Sequence, residues 1–232
     1  MNILITGGAG FIGLNLAEAI LRSGEHVVIY DPGAVPGAAQ RTFDGLPGSW
    51  CHIQESVIDS GALASTLTEQ RIEQVFYGAA VTSGPERERD TPESVLSINL
   101  VGLATVAKLA AKAGIRRLIN LSSGSAYGLP DGDESDWPPT LHEEHTRERP
   151  VSLYALSKFA TEITTRRIAA LTGLDALSVR LSSIFGPWER DTGFRDTLSA
   201  PLQASVAAQC GEPVILERHE SRDWTYSRDV AD

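Results

Sequence analysis

The chain has 232 residues, enough for one large domain with ample core, and its 42% hydrophobic and 22% charged content is ordinary globular composition. A net charge of −10 argues against nonspecific binding to nucleic acid or to an anionic membrane surface. No apolar run reads as membrane-spanning, the amino terminus lacks a basic signal head, and Cys51 and Cys210 show no metal spacing, so a cytoplasmic protein without a metal is expected.

Asn2–Thr6 is a short apolar strand. Gly7, Gly8, Gly10 and Gly13 follow at once, and a helical pattern begins with Phe11, Ile12, Leu16 and Ile20. A strand, a glycine turn and a helix in that order suit a dinucleotide: glycine lets the backbone approach a pyrophosphate, and the helix N-terminus offers free N–H groups to it. An ordinary glycine-rich turn is the bland alternative. A second strand, Glu25–Tyr30, ends in Asp31, about 20 residues past the glycines, where an acid accepts hydrogen bonds from a ribose hydroxyl and repels a 2′-phosphate. That favours NAD over NADP, and Arg41 in the following loop does not remove the acid.

Ile53–Ile58 reads as a third strand, and Asp59 as the N-cap of a helix. Gln74–Ala80 is a fourth strand, running into a polar loop at Thr82–Thr91. Pro92–Ala113 is a long amphipathic helix stopped by Gly114, and Arg117–Leu121 is a fifth strand with a serine-rich end, Ser122 and Ser123. Residues 129–150 form a Pro-rich acidic loop, Val151–Leu171 a helix stopped by Gly173, and Ala176–Leu181 a sixth strand. This alternation predicts an α/β fold with a doubly wound parallel (Rossmann) sheet, whose ligands lie at the carboxyl ends of the strands. From Pro187 the pattern loosens into a helix at Leu198–Cys210 and strand-like pieces at Pro213–Leu216 and Trp224–Tyr226. The expected division is an NAD-binding domain over residues 1–186 and a small, truncated substrate lobe over 187–232.

Tyr154 and Lys158 are one helical turn apart and share a helix face. A free phenol ionises near pH ~10. A neighbouring ammonium and a positive nicotinamide ring favour the phenolate, which can then take a hydroxyl proton as hydride leaves the same carbon. Ser123 is placed to hydrogen-bond the reacting oxygen. A Tyr-x-x-x-Lys pair by itself is common. Of the 20 basic residues, however, only Lys108, Lys112 and Lys158 are lysines, so a compact ammonium is kept at this position by a chain that otherwise uses arginine. His142-Glu-Glu-His145 has the wrong histidine spacing for a zinc helix. Arg180 reads as a structural anchor. Arg190, Arg195 and Arg222 fall in the segment expected to cover the cleft, as ligands of anionic substrate groups or as surface ion pairs.

These motifs resemble the extended short-chain dehydrogenase/reductases, specifically the NAD-dependent epimerase/dehydratase family of nucleotide-sugar enzymes. The resemblance is carried by Thr6–Gly13, Asn99-Leu-Val-Gly102, Ser122–Gly128, Ser152–Lys158, Arg180–Pro187 and Arg222–Ala231. It implies a catalytic set of Ser123, Tyr154 and Lys158. It implies cofactor contacts from Gly7, Gly10, Phe11, Ile12, Gly13 and Asp31, from Ser56, Val57, Ala79, Ala80 and Asn99, and from Tyr154 and Lys158. Substrate contacts are implied for Thr82, Ser123, Ser183, Arg190, Arg195 and Arg222. In relatives the two long helices pair with a second subunit, so a homodimer is expected.

Departures from the family pattern narrow the chemistry. Members that dehydrate or decarboxylate carry an acid just after the catalytic Ser/Thr, where this chain has Gly124 and Ser125. Ser183 replaces a usual Asn, and Leu216–Ser221 replaces a glycine-rich approach, which weakens the case for a nucleotide-diphosphate substrate. The leading expectation is an NAD-dependent sugar epimerase, with a nucleotide-linked sugar as substrate. The alternatives are a dehydrogenase of a free sugar or sugar acid, and a non-catalytic NAD-binding module.

Overall fold

Strand β1 (Asn2–Thr6) carries three consecutive apolar residues, Ile3, Leu4 and Ile5, because both of its faces are covered. Ile3 and Ile5 join one core layer, while Leu4 joins the opposite one. The computed structural model describes residues 1–128, 140–214 and 223–232. Around β1 the parallel strands β2 (His26–Tyr30), β3 (Ser49–Ile53), β4 (Gln74–Tyr77), β5 (Arg117–Ser123) and β6 (Ala176–Leu181) form a six-stranded sheet in the order 3-2-1-4-5-6. This is the doubly wound arrangement expected, with its crevice where the order reverses between β1 and β4.

Helices α1 (Phe11–Arg22) and α2 (Gly37–Phe43) cover one face, through Leu14, Ala17, Leu21, Ala39 and Phe43. Helix α3 (Ser60–Glu69) covers the other with Leu63 and Leu67, its N-terminus capped by Asp59, which accepts from Gly61 N and Ala62 N at 2.9 Å. The third strand lies earlier than expected, at Ser49–Ile53. Its edge position leaves Ser49, Cys51 and His52 only half needing to be apolar, which hides the strand pattern. Its partner β2 ends at Tyr30, which pairs with Ile53, so no strand continues into Gln54–Ile58. That segment instead turns Ser56 and Val57 toward the cleft.

Thr82–Thr91, expected as loop, contains a short helix, α4 (Pro85–Asp90). The long helix Pro92–Ala113 is present but is not regular throughout. It runs as α5 (Pro92–Leu96), a π-helical stretch at Ser97–Gly102, and α6 (Leu103–Ala113), ending at a left-handed Gly114. The widened turn carries Asn99, whose side chain accepts from Val81 N at 2.8 Å and donates to Val81 O at 3.1 Å and to Ser157 Oγ at 2.9 Å. This helix is long and apolar enough to cross a bilayer, contrary to the reading of the sequence, but Leu103, Val106, Ala107 and Ala110 pack it into the sheet's core.

Helix α7 (Leu153–Thr172) is capped by Ser152, which accepts from Ala155 N at 3.0 Å, and ends at a left-handed Gly173. Beyond β6, β7 (Ser183–Phe185) pairs in parallel with β8 (Trp224–Tyr226) in a second, two-stranded sheet. Helix α8 (Ala200–Cys210) has no buried residue. The short α9 (Ser227–Ala231) returns to α1, where Ser227 donates to Asn15 Oδ1 at 3.1 Å. Asn15 in turn donates to Pro187 O at 2.8 Å, and Trp188 donates to Glu18 at 2.8 Å. The segment after Pro187 is therefore fastened to the Rossmann layer by buried polar bonds. Of the strand-like piece Pro213–Leu216, residues 213 and 214 form no strand, and 215 and 216 lie outside the described residues.

Candidate active site

A cleft of about 600 Å³ opens at the carboxyl ends of the strands. One wall is the glycine loop. Gly7 has φ 66°, and a Cβ there would come within 2.7 Å of Gly78 and Ala79 backbone. A Cβ on Gly13 would lie 2.6 Å from Gly8 Cα, so the first turn of α1 can close on the loop only with glycine at this position. Gly10 caps α1 and provides no side-chain partner, which leaves first-turn N–H groups to meet a ligand. Asp31, at the end of β2, accepts from Ala9 N at 3.1 Å and Gly33 N at 2.7 Å. Burial pushes its carboxyl above the ordinary value, against those two bonds and the charges of His52 and Arg190. A loop stripped of Cβ atoms, an uncapped helix end and an acid at the second strand fit an NAD dinucleotide: pyrophosphate at the loop, ribose at Asp31.

Gly7, Gly10, Phe11, Ile12 and Gly13 line this cleft with Asp31, Ser56, Val57, Ala79 and Ala80, each of them among the expected cofactor residues. Asn99 and Lys158 do not line it. Asn99 is buried behind Val81 and braces the chain beyond β4. Lys158 is buried, donates to Leu121 O at 2.8 Å, and has Nζ 5.8 Å from the centre of the Tyr154 ring.

Tyr154 meets Ser123, Thr82 and Arg195 away from the glycine loop, and Ser183 lines the same cleft. Ser123 Oγ accepts from Ser125 N at 3.1 Å. Burial pushes the Tyr154 phenol above its usual value, opposed by hydrogen bonding to Ser123 and to Thr82 and by the charge of Arg195. In the protein alone the phenol therefore keeps its proton, with Arg195 as a positive charge that opposes the effect of burial. Arg195 is held beside the Phe11 ring at 5.6 Å, ion-paired to Glu189 at 3.0 Å. The strap around it is pinned to Thr82, which donates to Phe194 O at 2.8 Å and accepts from Asp196 N at 3.1 Å. Asp196 is clasped in turn by Arg87 at 2.7 Å. Arg190 lies at the other end of the cleft, donating to Ala9 O at 2.8 Å. Arg222 lies outside the described residues. His142 and His145 stack on one another at 4.5 Å, and among the described residues no three His, Cys, Asp or Glu side chains converge as metal ligands.

Beneath the site lies a charged cluster that motif reading missed apart from Arg180. Ser122 donates to Glu162 at 2.5 Å, and Arg180 donates to both Glu162 oxygens, the closest contact being 2.7 Å. Arg180 also reaches Glu148 at 2.7 Å and lies 4.2 Å from the Tyr127 ring centre. The available signal was Glu162 four residues past Lys158, on the same helix face.

Burial pushes the Lys158 ammonium down to about 8, with Glu162 opposing. Because this is below the unfolded value of about 10.4, the folded chain releases the proton first, and stability from this group should rise between about pH 8 and pH 10 and stay level below. The Cys51 thiol, pushed up by burial, opposes this above about pH 8.5, and Tyr154, also shifted upward, above about pH 10. Between about pH 8 and pH 10 the urea midpoint of the wild type should therefore rise relative to that of Lys158→Met, and parallel pH profiles of the two would remove Lys158 as the cause.

A model of the NAD dependent epimerase/dehydratase family matches residues 3–232. A UDP-glucose 4-epimerase of Mycolicibacterium smegmatis is 28% identical, with 100% of this chain aligned to 71% of that protein. The crystal structure of UDP-glucose 4-epimerase from Thermotoga maritima with UDP-glucose superposes with TM-score 0.84 at 25% identity, over 100% of this chain and 71% of the other. MoeE5 in complex with UDP-glucuronic acid and NAD superposes with TM-score 0.79 at 28% identity, over 100% and 70%.

Proposed function

Because the chain belongs to the NAD dependent epimerase/dehydratase family, we propose that it is a nucleotide-sugar 4-epimerase that inverts a carbinol and retains its cofactor. One observation carries the choice within the family. Among the described residues, Asp31 is the only carboxylate lining the cleft, and it sits at the glycine-loop end. The substrate end offers the hydroxyls of Ser123, Ser125, Ser182 and Ser183, the Tyr154 phenol and the Arg195 guanidinium. Expelling water from a sugar calls for an acid or base aimed at a neighbouring carbon, and neither Gly124 nor Ser125 provides one. Oxidation and re-reduction at a single carbon need only one proton acceptor.

A bound NAD, held by the glycine loop and Asp31, would supply the hydride acceptor and donor and a positive charge for the phenol to respond to. Tyr154 takes the substrate hydroxyl proton and returns it after the sugar presents its other face. Ser123 hydrogen-bonds the reacting oxygen and keeps it on the phenol's side. Lys158, with Nζ 5.8 Å from the Tyr154 ring centre, and Arg195, lining the cleft, both favour the phenolate as the proton leaves the substrate. A second reading, oxidation of a free sugar acid with release of NADH, is favoured by Arg195, which is suited to a carboxylate.

Incubating the purified protein with NAD and either UDP-glucose, UDP-glucuronic acid or free glucuronic acid separates the two. Epimerised nucleotide sugar, without NADH accumulating in proportion, supports the proposal. Stoichiometric NADH with the free acid replaces it with the dehydrogenase.

The subunit arrangement belongs to the same reading. Val101, Leu156 and Ile163 remain 57%, 46% and 46% exposed on the π-helical stretch and α7, whose flanks are packed against each other. A second copy applied to this face would bury them in a four-helix interface. Light scattering should report a dimer, and Ile163→Asp should shift it toward monomer, since one charge buried in such a patch is strongly disfavoured.

A further inference from the structure

Arg190 is an unusual residue in its position. It comes from the strap after β7, yet its Nη2 donates to Ala9 O at 2.8 Å in the middle of the glycine loop. Its Nη1 is buried and has no partner. Burial disfavours its charged form, with Asp31 as the opposing charge. Asp31 acts on Arg190 through its charge alone: no hydrogen bond joins the two side chains, and the Asp31 oxygens accept from Ala9 N and Gly33 N. A half-buried guanidinium lining the cleft beside the glycine loop, with one nitrogen lacking a protein partner, is suited to hold an anion by a charge-assisted bond.

A second, independent feature meets it there. Helix α1, 12 residues long, begins at Gly10 without a side-chain cap, so its first-turn N–H groups also lack a side-chain acceptor. Arg190, Ala9, Gly10 and Phe11 all line the same stretch of cleft. The strap that brings Arg190 there is fastened on both sides: Trp188 to Glu18 at 2.8 Å, and Glu189 to Ser199 N at 2.7 Å and Arg195 at 3.0 Å.

We propose that Arg190 is a ligand of the dinucleotide's pyrophosphate and that the strap is a latch holding the cofactor in. The proposal rests on the reading of the glycine loop as the NAD site. It gives the retained cofactor a physical cause: release must pull an arginine off the pyrophosphate and lift the same strap that carries Arg195 to Tyr154. Binding at the two ends of the cleft is thereby joined through one segment. A diphosphate at the helix end would meet the charge of Arg190 and the uncapped first-turn N–H groups together, whereas a ligand without the diphosphate offers no charge to either.

The test uses calorimetric titration of the wild type, Arg190→Ala and Arg190→Lys with NAD, ADP and adenosine, together with the rate at which bound NAD is lost on dilution. A charge-assisted bond to a phosphate is worth about one to two powers of ten in affinity. Arg190→Ala should therefore bind NAD and ADP about 10- to 100-fold more weakly and release NAD correspondingly faster, while adenosine is unaffected and the ligand-free melting temperature is unchanged. Arg190→Lys should recover part of the loss. Equal weakening of ADP and adenosine would show that Arg190 only props the loop, and unchanged affinity for both would remove it from the site; either overturns the proposal. A wild type that binds none of the three would instead overturn the reading of the NAD site.

Discussion

Tyr154→Phe should lower kcat by about 10²–10⁴-fold and leave NAD affinity intact. The change removes one oxygen. The ring keeps its place on α7, Lys158 keeps its bond to Leu121 O at 2.8 Å, and the glycine loop is untouched. What disappears is the acceptor for the substrate proton, for which Ser123 is a poor substitute because it is held by Ser125 N. Burial already keeps the Tyr154 phenol protonated in the protein alone, so the proton acceptor forms only when opposing charge arrives with the bound molecules. The wild-type rate should therefore climb with pH toward the phenol's ionisation, and this limb should be missing from the residual rate of the variant. Steady-state kinetics beside calorimetric NAD titration checks both halves. A variant within a few-fold of wild type would place the proton acceptor elsewhere.

Arg180→Ala should be the most destabilising single substitution in the site's foundations, costing about 3–5 kcal/mol. Arg180 and Glu162 have side chains only 12% and 8% exposed, and their closest contact is 2.7 Å. Removing the guanidinium leaves the Glu162 carboxylate buried with Ser122 as its remaining hydrogen-bond donor, and frees Glu148 as well. The loss comes less from the missing attraction than from the charge left behind. Arg180→Ala combined with Glu162→Gln should therefore regain part of it, a coupling that additive effects would not produce. Urea unfolding of the two single variants and the double variant measures it. Ser122 precedes Ser123, and Lys158 is one turn from Glu162, so turnover should fall in Arg180→Ala even under conditions where it stays folded.

The fold was legible because its signals are local. Asn2–Thr6, the glycines from Gly7 to Gly13 and the helix from Phe11 form a strand–turn–helix whose residues are neighbours in both chain and space. Left-handed glycines ended helices where expected, at Gly114 and Gly173. The third strand was misplaced because an edge strand needs fewer apolar residues and takes its length from its partner, and Ile53 pairs with the last residue of β2. The π-helical stretch at Ser97–Gly102 left no periodic trace, and the Asn99 side chain it carries bonds to Val81, 18 residues away in the chain.

The candidate site divides in the same way. Gly7, Gly10, Gly13, Asp31 and Ser123 could be placed in one cleft from the sequence because each stands at or shortly past a strand's carboxyl end, which a doubly wound sheet gathers, and Tyr154 because it opens the helix that follows β5. Family membership follows from the same short motifs. What only the tertiary structure decided is where the charges go. Three arginines of one irregular segment looked equivalent in the sequence. Folding sends Arg190 to the glycine loop and Arg195 to Tyr154, while Arg222 is outside the described residues. It withdraws Lys158 from the cleft onto a main-chain carbonyl and ties Arg180 to carboxylates 18 and 32 residues away. The reason is physical: backbone geometry and apolar periodicity act over a few residues and are written along the chain, whereas a charge takes its place from partners and burial that exist only after distant segments have packed.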